Sequence, residues 1–372
     1  SRQAIKAWLF DDALPFWATK GMDFDHGGAH EALAFDGTPA PHSHKRLRVA
    51  ARQIYCFSHA SIMGWQGDSD RVLQHCFYTL TRTGWHEDGG FIHLYNPDGS
   101  VLDNTRDTYD QCFVLLAMAW LWRAKKWDAA RHWAAKTLSY LDQSLSDSVN
   151  GGYYDNNKNT LPRRANPHMH FLEAMLAWYD ATAEKEYLNR AGQIVNLFEQ
   201  HYYDPATGTL TERFNDDWSP IVDPDADHLV EPGHHYEWAW LLMRFDELRP
   251  TDGLAAKART LYATARAFGH HEKTGAVADT MSVDGSFVSG RARCWPQTEA
   301  LKAAIAMEND GLASATALQT KMLDVLQTHY IDGPIKGGWY DAINDNGYVA
   351  APDMPSSTFY HLYCALAEYI EK

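Results

Sequence analysis

Gly-containing turns recur along this chain at Gly27-Gly28, Gly89-Gly90, Gly151-Gly152, Gly208, Gly275 and Gly337-Gly338. Their first glycines stand 62, 62, 57, 67 and 62 residues apart. A period of that length is a supersecondary unit used six times over, and such a unit buries its apolar face only against its neighbours. Between the turns, apolar residues recur at helical spacing. The pattern predicts helices at about 2–20, 44–65, 68–84, 105–124, 127–146, 167–183, 185–202, 232–249, 253–271, 293–309, 313–330 and 355–371. Each Gly turn follows an odd-numbered helix and leads into an even-numbered one. Connections from even to odd helices are short, as at Gln66-Gly67 and Pro250-Thr251-Asp252. The longer Gly segments, such as Phe91 to Gly99, read as short hairpins.

The two sets of helices differ in character. Phe113 to Trp122 and Tyr236 to Leu242 are apolar nearly all round, as helices buried on every side must be. Odd-numbered helices open on charge, at Lys125-Lys126-Trp127-Asp128 and at Glu184-Lys185-Glu186. Six pairs with alternating long and short connections predict an all-α fold, an (α/α)6 barrel of twelve helices. The even helices form its inner ring, and the hairpin-bearing loops collect at one end. No linker or low-complexity run divides residues 1–372, so a single domain is expected. An open solenoid would carry a polar capping repeat at each end, whereas here the first and last helices are amphipathic and aromatic.

A formal charge of −15 argues against nucleic acid or an anionic membrane as partner. The longest apolar run, Cys112 to Trp122, is too short to span a bilayer. None of the 5 cysteines forms a CxxC pair, and four lie in apolar helical contexts. They read as reduced thiols of a cytoplasmic protein, and Ser1 to Phe10 shows no signal-peptide pattern. The partner expected is a small molecule, bound by a monomer or homodimer. The 14 Trp, 19 Tyr and 15 Phe suit a carbohydrate cleft as well as a large core.

If the inner helices are parallel, their first turns open towards the Gly loops, and polar residues do collect there. Helix two offers Arg52, helix four Tyr109 and Gln111, helix six His170 and Glu173. Helix eight offers His234 and Glu237, helix ten Trp295, Gln297 and Glu299, and helix twelve His361. Counted from the preceding Gly turn, Arg52, Gln111, His170, His234, Gln297 and His361 lie 25, 22, 19, 26, 22 and 24 residues on. Six units thus place a polar residue at nearly one height, which core packing does not require. Glu231-Pro232-Gly233 is a helix-start signal that puts His234 in the first turn of its helix. Glu237, one turn further on, is the carboxylate expected to orient it as a general acid/base.

Other histidines carry less. His42 and His44 read as loop residues, His235 as packing, and His270-His271 as an outer-helix end whose dipole suits imidazole. His168 and His170 diverge on a regular helix and cannot share a metal ion. A three-His metal site at His170, His234 and His361 is the less favoured reading, since no HExxH-type signature is present, and no metal or cofactor is expected.

The ordered motifs Arg52-x-x-Tyr55-x-Phe57-Ser58, Tyr109-x-Gln111-x-Phe113, Asn166-x-x-Met169-His170-x-x-Glu173-Ala174, Pro232-Gly233-His234-x-x-Glu237-Trp238, Trp295-x-Gln297-x-Glu299-Ala300 and Tyr360-His361 span essentially the whole chain. This set resembles the N-acylglucosamine 2-epimerase superfamily, which includes cellobiose 2-epimerases and mannose-type aldose–ketose isomerases. The resemblance implies an (α/α)6 barrel, His234 and His361 as the acid/base pair, and Arg52 and His170 at the reacting end of the sugar. It also implies that Glu173, Glu237 and Trp295 orient or stack the substrate.

The Pro-Gly-His-x-x-Glu-Trp form is closer to the mannose isomerase branch. One departure is the lack of an Arg shortly before it, where Asp227 or His228 is expected to meet the sugar instead. The activity expected is cofactor-independent isomerisation of the D-mannose/D-fructose type, through ring opening and an enediolate. The alternatives are 2-epimerisation of N-acetylglucosamine or a cellobiose-type disaccharide and, from another class, glycoside hydrolysis by paired carboxylates. The sequence assigns neither histidine to a particular proton. Arg163 and Arg164 read as a solvated basic pair, with an anionic substrate group as the other reading.

Overall fold

The computed structural model describes residues 1–221, 229–331 and 333–372. Twelve helices alternate along these described residues. Helix α1 runs over Arg2–Ala7, widens to a π-helix at Trp8–Ala13 and resumes at Leu14–Thr19. Pro15 accounts for the widened turn, because it has no N–H to return to the carbonyl four residues earlier. The rest are α2 (Leu47–Ile62), α3 (Ser69–Thr83), α4 (Thr108–Lys125), α5 (Asp128–Tyr140), α6 (Ala165–Thr182), α7 (Lys185–Leu197), α8 (Pro232–Leu248), α9 (Leu254–Phe268), α10 (Cys294–Asn309), α11 (Ala315–Leu326) and α12 (Thr358–Glu371). Helices α5, α7 and α11 each end in a further π-helical turn.

The even helices pack side by side in the order α2, α4, α6, α8, α10, α12, and α12 returns to α2. Each odd helix backs one of them: α1 on α12, α3 on α2, α5 on α4, α7 on α6, α9 on α8 and α11 on α10. This is an (α/α)6 barrel. Inner helices are buried on nearly every face, as from Gln111 to Ala119 on α4 and from Pro296 to Met307 on α10. No helix among the described residues is long and apolar enough to cross a membrane. All five cysteines are buried and free.

A second ring, made of backbone, closes the mouth. The residues leading into each inner helix pair with the loop of the next unit. Lys45–Arg46 pairs with Leu94–Tyr95, and Asp107 bridges Asn156. Arg163–Arg164 pairs with Arg213–Phe214, and Leu229–Val230 with Met281–Ser282. Arg291–Arg293 pairs with Ala342–Asn344, and Met354–Pro355 returns to Ala32–Leu33, joining the last unit to the first. The loops do both: they staple neighbouring units together and also pair locally, as Leu94–Tyr95 with Val101–Asp103, Tyr203–Asp204 with Thr209–Leu210, and the bridges Leu33–Pro39, Phe214–Pro220, Met281–Val288 and Ile343–Val349. This pairing delays helix starts. Helices α2, α4 and α12 begin at Leu47, Thr108 and Thr358, because the residues before them are extended in the mouth ring.

Candidate active site

Four residues past the first glycine of each turn stand Glu31, His93, Asp155, Glu212, Asp279 and Asp341. Four of these carboxylates accept the backbone N–H of the residue just before an inner helix. Glu31 takes Arg46 at 2.9 Å, Asp155 takes Arg164 at 3.0 Å, Glu212 takes Glu231 at 3.3 Å and Asp279 takes Arg293 at 2.8 Å. An anion at a helix N-terminus satisfies an orphan donor and opposes the helix dipole. In three units the guanidinium of that same residue closes onto the carboxylate as well. In the fourth unit the residue is Glu231, which has no cation to offer. Glu212 turns its second oxygen to Nδ1 of His234 instead, at 2.7 Å.

Above the inner helix tips lies a cavity of about 330 Å³, lined among others by Arg52, Tyr109, Asn166, His170, His234, Glu237, Trp295 and His361. The Trp295 ring stands 5.1 Å from the His234 ring and 5.6 Å from that of His361, so one indole flanks both imidazoles. Gly233 makes that seat possible. A Cβ there would stand 2.5 Å from the Trp295 ring. The Asn166 side-chain amide lies 3.4 Å from Nε2 of His234. His361 points Nδ1 at Glu299 Oε1, at 2.8 Å. Arg52 donates to the Ser357 carbonyl and the Tyr109 hydroxyl, each at 3.0 Å, while its plane covers the Phe113 ring at 4.1 Å. Among the described residues it has no carboxylate partner of its own, and its Nε is without a hydrogen-bond partner.

The two imidazoles sit in opposite fields. Burial disfavours charge on His234, but Glu212, Glu231 and Glu237 outweigh it and raise its pKa to about 10. Burial also disfavours charge on His361, and there Arg52, Lys302 and His170 add to the effect and hold it well below the ordinary range. At neutral pH the first is an imidazolium and the second a neutral ring. Beneath them lies a floor of carboxyl groups. Glu173 is kept ionised, at about 2 despite burial, by His170 at 3.0 Å, by Lys302 and by the Tyr360 hydroxyl. Glu237 is driven upward by burial and by neighbouring Glu299 and Glu173, and its Oε1 has no hydrogen-bond partner. Asp341, which lines the cavity and accepts from Thr358 Oγ1 at 2.6 Å, is raised by burial to about 7.

The structure brings Arg52, Tyr109, His170, His234, Glu237, Trp295 and His361 to one cavity. It does not bring the other four candidates there. Gln111 holds the Phe91 N–H and carbonyl at 2.8 Å, and Gln297 holds those of Val277 at 2.7 Å. Both face the Gly turn behind the helix. A step of two residues turns a helix by about 200°, so Tyr109 and Trp295, two residues earlier, face inward. His168 and His235 do the same stitching in their units, accepting from Tyr153 N at 2.9 Å and Leu210 N at 3.3 Å. Glu173 and Glu299 lie below the cavity, where they grip His170 and His361.

Glu237 is not the carboxylate bonded to His234; that is Glu212. The expected role of Asp227 or His228 falls outside the described residues. Arg163 is 1% exposed, bonded to Asp147 at 2.7 Å and stacked 3.7 Å over Trp218, while Arg164 is clamped to Asp155. Neither lines the cavity. Arg46, Arg293, Asp341, Ser357 and Thr358 also line it, as do Asn166 and Glu231, which the sequence marks only as part of a motif and of a helix start and not as site residues.

Three groups of potential ligands come close enough to hold a metal ion: His170 with Glu173 and Glu237, Glu237 with Glu299 and His361, and Glu212 with Glu231 and His234. In each, the imidazole Nδ1 is hydrogen-bonded to one carboxylate of its group, while Glu237, shared by the first two groups, keeps its Oε1 without a hydrogen-bond partner among the described residues.

A closed helical barrel with two carboxylate-held imidazoles and an arginine at its mouth has groups able to move a proton and to stabilise an oxyanion. Residues 27–365 match the family model described as N-acylglucosamine 2-epimerase (GlcNAc 2-epimerase), and the chain belongs to that family, as a sugar isomerase or 2-epimerase. It is 34% identical to a mannose-6-phosphate isomerase of Rhizobium meliloti (strain 1021), over 98% of this chain and 95% of that protein. It is 27% identical to a D-mannose isomerase of Thermobifida fusca, over 98% and 94%. A crystal structure of a D-mannose isomerase superposes with a TM-score of 0.90 at 22% identity, covering 100% of this chain and 98% of the other.

Proposed function

We propose that the chain interconverts D-mannose and D-fructose without a metal or other cofactor, with His234 as acid and His361 as base. The observation that carries this reading is that one indole flanks two imidazoles, each gripped at Nδ1 by its own carboxylate, with acids around His234 favouring its charge and cations around His361 opposing it. His234, an imidazolium, donates to the ring oxygen as the C1–O bond breaks, and the proton released from the anomeric hydroxyl returns through solvent to the imidazole, leaving the open-chain aldose. His361, neutral with Nδ1 bound to Glu299, presents Nε2 to the C2 hydrogen.

Breaking the C2–H bond sends its electron pair into the C1–C2 bond and charge onto the C1 oxygen. Arg52, the cavity-lining guanidinium without a carboxylate of its own, faces that charge. The six helix N-termini around the mouth add a field of the same sign. Return of the proton to C1, with the hydroxyl proton passing from O2 to O1, gives the ketose. Return to the opposite face of C2 gives the epimer, which is the second reading and is favoured by the family description.

The cavity suits an uncharged hexose. Among the described residues that line it, the other guanidiniums are engaged, Arg46 by Glu31 and Arg293 by Asp279 and Glu231, which leaves Arg52 and the His234 imidazolium as the cations facing a substrate. Glycoside hydrolysis would need two carboxyl groups flanking the substrate; of the pair expected for it, Glu173 and Glu237, only Glu237 lines the cavity, where Glu231 and Asp341 are the other carboxyl groups. Incubation with D-mannose and EDTA tests the proposal. Fructose should form at an undiminished rate, and faster than fructose 6-phosphate forms from mannose 6-phosphate; loss of activity on chelation would overturn the metal-free mechanism.

A further inference from the structure

Lys302 is 0% exposed, a rare place for an ammonium group. It stands one turn beyond Glu299 on α10, away from the cavity lining. Its Nζ lies 2.6 Å from Glu299 Oε2, while Glu299 Oε1 lies 2.8 Å from His361 Nδ1. On its other side Nζ sits 3.8 Å from the centre of the Trp240 ring. That indole is itself fixed by Nε1 donating to Glu368 at 3.1 Å. The ammonium is thus held between an indole face and one carboxylate.

We propose that Lys302 is a positioning residue that fixes the tautomer of His361: by keeping Glu299 anionic it makes Nδ1 the donor and leaves Nε2 a bare acceptor towards the cavity. The inference rests on the reading of His361 as the base. Charged and titratable groups face this cluster from several helices. They are Arg52 on α2, His170 and Glu173 on α6, Glu237 on α8, and Cys364 and Glu368 on α12, besides Glu299 and Lys302 on α10. Three carboxyl groups share the floor, and burial with mutual repulsion favours a proton on Glu299. Lys302 is the principal group opposing that.

Without the ammonium, Glu299 can take a proton and donate it to Nδ1, which reverses the tautomer. Alternatively it remains charged and stabilises an imidazolium. Either outcome puts hydrogen on Nε2 and removes the base. A cation retained only for packing would serve no better than an apolar side chain of the same volume.

The test compares Lys302→Met and Lys302→Arg with the wild-type protein, by kcat and KM for D-mannose across the pH range and by ¹⁵N NMR of the histidines in substrate-free protein. In Lys302→Met, kcat at neutral pH should fall by roughly 10- to 100-fold with KM little changed, and the acidic limb should move to higher pH. Lys302→Arg should restore the limb. In the spectra, Nε2 of His361 should be bare in wild type and Lys302→Arg and protonated in Lys302→Met. A Lys302→Met protein with the wild-type pH limb and tautomer overturns the proposal, even if it melts at a lower temperature. If Lys302→Met does not fold, the wild-type spectrum decides, since a proton on Nε2 there contradicts the proposal by itself. Absence of mannose turnover in wild type would instead count against the proposed substrate, while the spectra would still decide the role of Lys302.

Discussion

Glu212 Oε2 lies 2.7 Å from Nδ1 of His234, the carboxylate coming from the loop of the fourth unit and the imidazole from the helix that follows it. With Glu231 and Glu237 it keeps the imidazolium charged up to about pH 10. In Glu212→Gln the alkaline limb of kcat should therefore move down towards the ordinary histidine range, as read from a pH profile. Stability should change with the same sign. A histidine whose folded pKa is raised stabilises the fold fully below its unfolded value, about 6.5, and loses that contribution as pH climbs towards about 10. The wild type should lose melting temperature across that window, and Glu212→Gln should lose less.

Gly233 is the closest approach in the site, because any side chain there meets Trp295 at 2.5 Å and Pro296 at 3.1 Å. Gly233→Ala should push the indole out of its seat between His234 and His361. A fall in kcat/KM of about 10- to 100-fold is expected, because small misplacements of positioned groups are costly. Steady-state kinetics with circular dichroism as a folding control will show it.

Gln111 and Gln297 should behave as structural residues. Replacing either with Leu strands a buried N–H and a buried carbonyl in the Gly turn behind it, at about 1–3 kcal/mol for each group left unpaired. Denaturant unfolding should show a loss of about 2–4 kcal/mol, with KM for mannose within about twofold of wild type.

Arg52 carries the opposite expectation. Arg52→Met should lower kcat by roughly 10²- to 10³-fold, the usual cost of losing one donor to a developing oxyanion. Its effect on KM should be smaller, and Arg52→Lys should recover only part of the loss because the bidentate geometry is gone.

Much of this architecture was legible because it repeats. Six Gly turns at a near-constant period, with helical spacing between them, dictate paired helices, and the apolar inner helices dictate which ring is inside. The starts of α2, α4 and α12 were not legible, since residues such as Lys45, Asp107 and Met354 are drawn into pairs with loops distant in sequence. Counting from the glycines fixed the height of the polar residues but not their rotation. Gln111 and Gln297 therefore read like His234 although they face the other way. Glu212 escaped notice because its partner is 22 residues away. A signal for it does exist: the fourth residue after the first glycine is acidic in five of the six turns. The exchange of an arginine for Glu231 before α8 marks the unit where that carboxylate serves an imidazole. The charge states of His234 and His361 depend on groups from several helices at once, and no local pattern encodes them.

The central claim is that His361 takes the C2 proton of an open-chain sugar and returns a proton to C1. NMR of D-mannose incubated with the wild-type protein and with His361→Asn in deuterated water tests it most directly. The account predicts fructose carrying solvent deuterium at C1 with the wild type, and at least a 10²-fold slower reaction with His361→Asn. An undiminished rate of fructose formation with His361→Asn, or unchanged labelling there, would contradict it.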